Sequence, residues 1–198
     1  MGAPVTWDLL ILASKSPRRR EILTNAGLAF EVREADVAEV RLDEESAIDY
    51  VSRLAREKAE ALVRDPGDVV LGADTVVVID GLVLEKPAST GDAVSMLEAL
   101  AGRGHDVITG ICLAWEGEPV VDVETTRVYF APMSDAEIEG YVASGEPMDK
   151  AGAYAIQGLA SKFIERIEGD YFNVVGLPVA RVYRHLRSIW REQESSLS

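Results

Sequence analysis

Residues 69–79 read VVLGADTVVVI, an almost wholly apolar run with a single carboxylate, Asp74, near its middle. So apolar and valine-rich a segment is a strand buried on both faces, and such strands belong to sheets that helices cover. The carboxylate is the anomaly. Burying it is costly unless it is paired or bound to a metal, although an edge position or a bulge would expose it harmlessly. Around this strand the chain alternates strand-like and helix-like segments. Residues 7–13 form a continuous apolar strand, followed by SKSPRRR and a short helix to about Asn25, with Gly27 as its stop. A second strand is expected over 28–33 and a long amphipathic helix over 45–64. The strand at 69–79 turns at Asp80-Gly81, a strong hairpin signal, into 82–84.

Farther along, residues 91–100 read as a helix with Thr90 as N-cap. Long strands are expected over 106–115 and 120–130, turning at Glu116-Gly117. Ser134 begins a helix through Val142 with the Ser134/Glu137 spacing of a capping box. Residues 163–167 and 172–175 suggest a strand pair around Gly169-Asp170. Pro178 opens a last helix whose apolar stripe is Val179, Val182, Leu186, Ile189 and Trp190. Parallel-type and hairpin-joined strands together predict an α/β fold with a mixed central sheet and helices on its faces. At 198 residues without repeat or linker, the chain reads as one structural unit over 1–198.

Composition narrows the function. Cys112 is the only cysteine and there are two histidines, so an intramolecular disulfide is excluded and a His/Cys zinc site is not expected. Any metal should be hard and held by carboxylates, hence Mg²⁺ or Mn²⁺. A formal charge of −14 disfavours a nucleic-acid partner. No apolar run approaches the ~18–20 residues of a membrane helix, and no leader pattern opens the chain. A cytoplasmic protein is expected.

The chemistry gathers in four segments. In SKSPRRR, Ser16 sits as N-cap and Pro17 as first helical residue, with Lys15, Arg18, Arg19 and Arg20 crowding the positive end of the helix dipole. Cations there oppose the dipole. The arrangement makes sense as an anion site, with a solvated basic turn as the plain alternative. In the long helix the stripe Ile48, Val51, Ala55, Lys58, Leu62 places a lysine on the buried side. Lys58 either snorkels from the core edge or presents its ammonium to a cleft; on pattern alone, methionine there should leave the fold at least as stable. Asp74, with Lys86 returning after the hairpin in Glu85-Lys86-Pro87, supplies a carboxylate among cations. DKAGAYAIQG, residues 149–158, allows close backbone approach and offers Gln157 to a base edge, or is simply a tight connection.

The ordered set LASKSPRRREIL, RLAREKA, VLGADTVV, LEKP, HDVITG, SGEPMDKAGAYAIQG and GDYFNVVGLP resembles the Maf-like nucleoside triphosphate pyrophosphatases across most of the chain. The resemblance implies a Maf/ITPase-like fold of two lobes around a deep cleft, usually dimeric. It also implies divalent-metal-dependent cleavage between the α- and β-phosphates of a nucleotide. Asp74 matches the family's general base. Ser14, Arg18, Arg19, Lys58 and Lys86 match its substrate-binding groups, and Glu39 matches an acidic residue that shares the metal with Asp74. Arg18, Thr75 and Gln157 match the specificity positions of the dTTP/UTP branch; the 7-methyl-GTP branch carries an aromatic residue and two acids there. A nucleotide-binding regulator of cell division without essential catalysis is the alternative implied.

Overall fold

The computed structural model describes residues 9–62, 67–116 and 118–196. The start of the first expected strand at 7–8, Arg64 and Gly117 lie outside the described residues; the long helix expected to reach Arg64 already ends at Glu60, with Ala61 as its C-cap. Strand β1 (Leu9–Ala13) leads through Ser14-Lys15-Ser16 into α1 (Pro17–Asn25), and β2 (Glu31–Arg33) follows. Then come α2 (Ala47–Glu60), β3 (Asp68–Ile79), β4 (Leu82–Leu84) and α3 (Thr90–Leu100). The chain continues with β5 (Gly104–Ala114), β6 (Val120–Phe130) and α4 (Asp135–Ala143). Three short 3-10 segments precede β7 (Ile164–Glu168), α5 (Tyr171–Val175) and α6 (Val179–Ser196).

Among the described residues the sheet has seven strands in the order β2-β1-β3-β5-β6-β7, with β4 paired to β3. β1 runs parallel to both β2 and β3, whereas β3–β4 and β6–β7 are antiparallel, so the sheet is mixed as the sequence predicts. Asp80 and Gly81 both take positive φ, 50° and 80°, as a two-residue type I′ hairpin requires.

The described residues fall into two compact units. One holds the chain up to Asp74, Gly110–Val123 and Gly176 onward; the other holds Thr75–Thr109 and Glu124–Val175. In the first, Ile11, Ala13, Val70, Cys112 and Ala114 of the sheet pack with Ala55 and Ala59 of α2. Val182, Leu186, Ile189 and Trp190 of α6 are buried as the stripe predicts. In the second, Leu97, Leu100, Val107, Val128, Tyr141 and Phe163 form the core, and His105, Phe130 and Tyr154 meet edge to face.

Several expectations need correction. The segment 172–175 is helix α5, not a strand. The Asp170 carboxylate accepts from the amides of Phe172 and Asn173 at 2.7 and 3.4 Å, and capping of this kind starts a helix whatever the local β-propensity. The cap of α3 is Ser89, whose hydroxyl accepts from Asp92 N at 3.1 Å; Thr90 is the first helical residue. The strand expected at 28–33 is confined to Glu31–Arg33, and β5 begins at Gly104 and ends at Ala114. Helix α2 starts one residue after Ser46, which caps Asp49 N at 3.1 Å, and Ile48 is exposed although the stripe counted it buried.

The seating of α2 matters most for function. A Cβ on Gly72 would lie 2.0 Å from Ala55 O and 2.8 Å from Ala59 N, so backbone meets backbone at this point. Gly72 and Asp74 face the same side of β3 because side chains alternate along a strand. The close approach therefore brings the α2 turn that carries Lys58 over the face that carries Asp74. Gly72→Ala should push α2 outward at a cost of about 1–3 kcal/mol, the usual range for overpacking. Thermal melts check this, and a variant melting with the parent would contradict such tight seating.

Candidate active site

The parallel register pairs Ala13 with Gly72, so Ser14 emerges from β1 level with Ala73, and the basic turn begins beside Asp74. Ligands of α/β sheets gather at this carboxyl edge of parallel strands. Ser16 caps α1, accepting from Arg19 N at 3.5 Å, and Pro17 occupies the first turn, both as the sequence predicts. The Ser14 side chain is buried, and its hydroxyl accepts from Ser16 N and from Arg19 Nη1, each at 3.2 Å.

Arg19 also donates from Nη1 to Ala73 O at 2.9 Å and from Nε to Gly176 O at 2.8 Å. It thus braces the end of β1, the strand of Asp74 and the loop before α6. Burial holds its guanidinium below the usual arginine value; Asp74 opposes that shift, Arg18 adds to it and Glu39 opposes it. Lys15 forms an exposed pair with Glu34 at 3.3 Å.

Lys58 is 7% exposed and Asp74 9%. The Lys58 ammonium lies 2.7 Å from Asp74 Oδ1 and 2.6 Å from Glu39 Oε1. The plain alternatives for both residues are therefore set aside: Asp74 is buried within the strand rather than exposed at an edge, and Lys58 meets it inside. Two carboxylates already converge on one cation. Among the described residues no group of three or more His, Cys, Asp or Glu is gathered for a metal. A pair of carboxylates suits Mg²⁺ or Mn²⁺, which keep waters and take substrate phosphate oxygens for the rest of their shell.

The remaining sequence candidates, Thr75, Lys86 and Gln157, belong to the other unit. Thr75 follows Asp74 on β3, and its hydroxyl lies 2.9 Å from that of Thr109. Thr109 donates its one proton to Asn173 O at 3.2 Å, so Thr75 is the donor of the pair. Gly152 N donates to Glu85 O at 3.1 Å, tying the loop that carries Lys86 to the segment that leads to Gln157. Both Lys86 and Gln157 are exposed. In the first unit, Arg19 contacts Ser14 and the carbonyl of Ala73, the residue before Asp74, while Lys58 contacts both Asp74 and Glu39; Arg18, Asp74 and Glu39 act on Arg19 through their charges.

Neither histidine bears on this chemistry. His105 is fully buried with Nε2 2.8 Å from Tyr154 Oη, and burial pushes it down to about 3, so it stays neutral. His185 Nε2 lies 2.8 Å from Asp122, which Arg181 also binds. Burial pushes the Cys112 thiol up to about 12. Two polar residues absent from the sequence argument stand out instead. Tyr141 of α4 and Glu146, which begins the first 3-10 segment, are hydrogen-bonded to each other beside the Gln157 segment. Glu146 lies within the motif SGEPMDKAGAYAIQG, but nothing in its spacing distinguishes it from the neighbouring acid Asp149.

The family model described as "Maf-like protein" matches residues 9–189. A dTTP/UTP pyrophosphatase of Koribacter versatilis is 55% identical over 90% of this chain and 93% of its own. One of Symbiobacterium thermophilum is 52% identical over 89% and 92%. Among solved structures, the Staphylococcus aureus Ham1 protein is 13% identical with a TM-score of 0.45, covering 79% of this chain and 91% of that one.

Proposed function

This chain belongs to the Maf-like protein family, and from that premise we propose that it hydrolyses dTTP and UTP to the monophosphate and pyrophosphate. The observation that carries the reading is the buried Lys58 ammonium held between Asp74 and Glu39, beside the Arg19 brace and the α1 N-terminus. Relatives at 55% and 52% identity are named as enzymes of this activity, which favours catalysis over a purely regulatory role.

The residues divide the work. Arg18, Arg19, Lys58, Lys86 and the Ser14 hydroxyl bind and neutralise the triphosphate. Asp74 and Glu39 would hold a divalent cation, which would screen phosphate charge and acidify water. Lys58 fixes Asp74 through Oδ1, and Asp74 takes the proton of the water that attacks the α-phosphorus, with pyrophosphate leaving. General-base assistance contributes roughly 10²–10⁴-fold, and positioning with charge stabilisation supplies most of the rest. Arg18, Thr75 and Gln157 select the pyrimidine base. The reading extends to a cytoplasmic homodimer; among the described residues no helix is long and apolar enough to cross a membrane.

Purified protein with Mg²⁺ or Mn²⁺ should release pyrophosphate and UMP from UTP, and a chelator should abolish this. Pyrimidine triphosphates should exceed ATP, GTP and 7-methyl-GTP in kcat/KM. UDP with orthophosphate as products would overturn the reaction class, and 7-methyl-GTP as best substrate would overturn the branch.

A further inference from the structure

Gln157 is exposed in the bend between two 3-10 segments, where no sheet or long helix fixes it. A side chain that reads a base edge needs a rigid backbone, because a misplacement of about 1 Å can cost on the order of 10²-fold. The rigidity comes from α4 and the turn after it. Ala155 N donates to Tyr141 Oη at 3.2 Å, and Tyr141 Oη donates in turn to Glu146 Oε1 at 2.8 Å. The other carboxylate oxygen, Oε2, accepts from Leu159 N at 3.1 Å. The amides two residues before and two residues after Gln157 are thus held by one Tyr–Glu pair.

The fit leaves no slack. A Cβ on Gly158 would lie 2.3 Å from Glu146 Oε2, so the backbone rests directly on the carboxylate. Glu146 is itself anchored, since Lys150 Nζ donates to its backbone carbonyl at 3.1 Å. Tyr141 is 4% exposed, and its ring packs edge to face on Phe163, so the phenol cannot swing away.

We propose that Tyr141 and Glu146 are positioning residues for nucleobase selection, holding the Ala155–Leu159 backbone so that Gln157 presents its amide in one orientation. The proposal rests on the assignment of Gln157 to the base. An ordinary stability role predicts equal losses for every nucleotide; a positioning role predicts loss of discrimination.

The test compares kcat and KM for UTP, CTP and GTP in Glu146→Ala, Glu146→Gln, Tyr141→Phe and Gln157→Ala, with thermal melts alongside. Glu146→Ala should lower the UTP-over-GTP and UTP-over-CTP ratios of kcat/KM by about tenfold, chiefly through a higher KM for UTP. Glu146→Gln can still accept from Leu159 N and donate to Tyr141 Oη, and should recover the ratios to within about threefold of the parent. Tyr141→Phe keeps the ring in the core and deletes the relay hydroxyl, so it tests the same idea if the alanine variant fails to fold. Unchanged ratios in Glu146→Ala and Tyr141→Phe, with Gln157→Ala lowering them, would overturn the positioning role alone. Unchanged ratios in Gln157→Ala would remove the base assignment and the proposal with it.

Discussion

Asp74→Asn should lower UTP turnover by ~10²-fold or more while triphosphate binding is retained or tightened. Asparagine keeps the shape of the side chain and its oxygen can still meet Lys58 Nζ, now 2.7 Å from Asp74 Oδ1. What is lost is the capacity to accept a proton and one negative charge, which would otherwise face the polyanion and help hold the cation, so binding and turnover are compared at saturating Mg²⁺. The fold should suffer little, because Lys58 remains paired with Glu39 at 2.6 Å, and Glu39 is 42% exposed and hydrated. Single-turnover kinetics beside equilibrium binding separate the two effects. An enzyme that stays within a few-fold of its parent would rule out Asp74 as the base.

Lys58→Met should behave in the opposite way and lose stability as well as function. The helical stripe by itself suggests that methionine would suit this position and leave the fold as stable or more so. The ion pair reverses that expectation. With side chains only 9% and 12% exposed, Lys58 and Asp74 compensate each other, and removing one partner leaves a buried charge unpaired. Losses of about 3–5 kcal/mol are typical of such deletions, which for a chain of this size lowers Tm by roughly 6 °C or more. Triphosphate binding should weaken in parallel. The double variant Lys58→Met/Asp74→Asn removes both charges and should regain most of the lost stability. A single Lys58→Met protein that melts with the parent would show that the pair is not a compensated buried one.

The residues of the candidate site stood out in the sequence because they break local rules. Asp74 in a valine strand, Lys58 on a buried stripe and arginines at a helix N-terminus each contradict what stability alone would select, and sequence periodicity exposes such conflicts directly. The elements were legible for the same reason, since burial on one face imposes a period of 2 or 3.6 on the chain. The Asp80-Gly81 hairpin and the Ser134/Glu137 capping box are short-range chemistry, and both stand as read. Residues 172–175 misled because Phe, Val and Val favour strands, while the deciding cap comes from the Asp170 side chain.

What the sequence determined by itself was therefore the kind of element at each place and the list of residues that needed an explanation. Partners were decided only by the tertiary structure. Arg19 donates to Gly176 O, 157 residues away, and a backbone carbonyl leaves no mark in sequence. Glu39 lies on irregular chain without periodicity, and only the seating of α2 on Gly72 brings Lys58 between it and Asp74. Tyr141 reads as an ordinary core aromatic until its hydroxyl is found between Ala155 N and Glu146. The physical reason is common to all three. A hydrophobic pattern records whether each residue is buried, a property of one position, whereas a hydrogen bond or ion pair is a property of two positions whose meeting depends on the whole path of the chain.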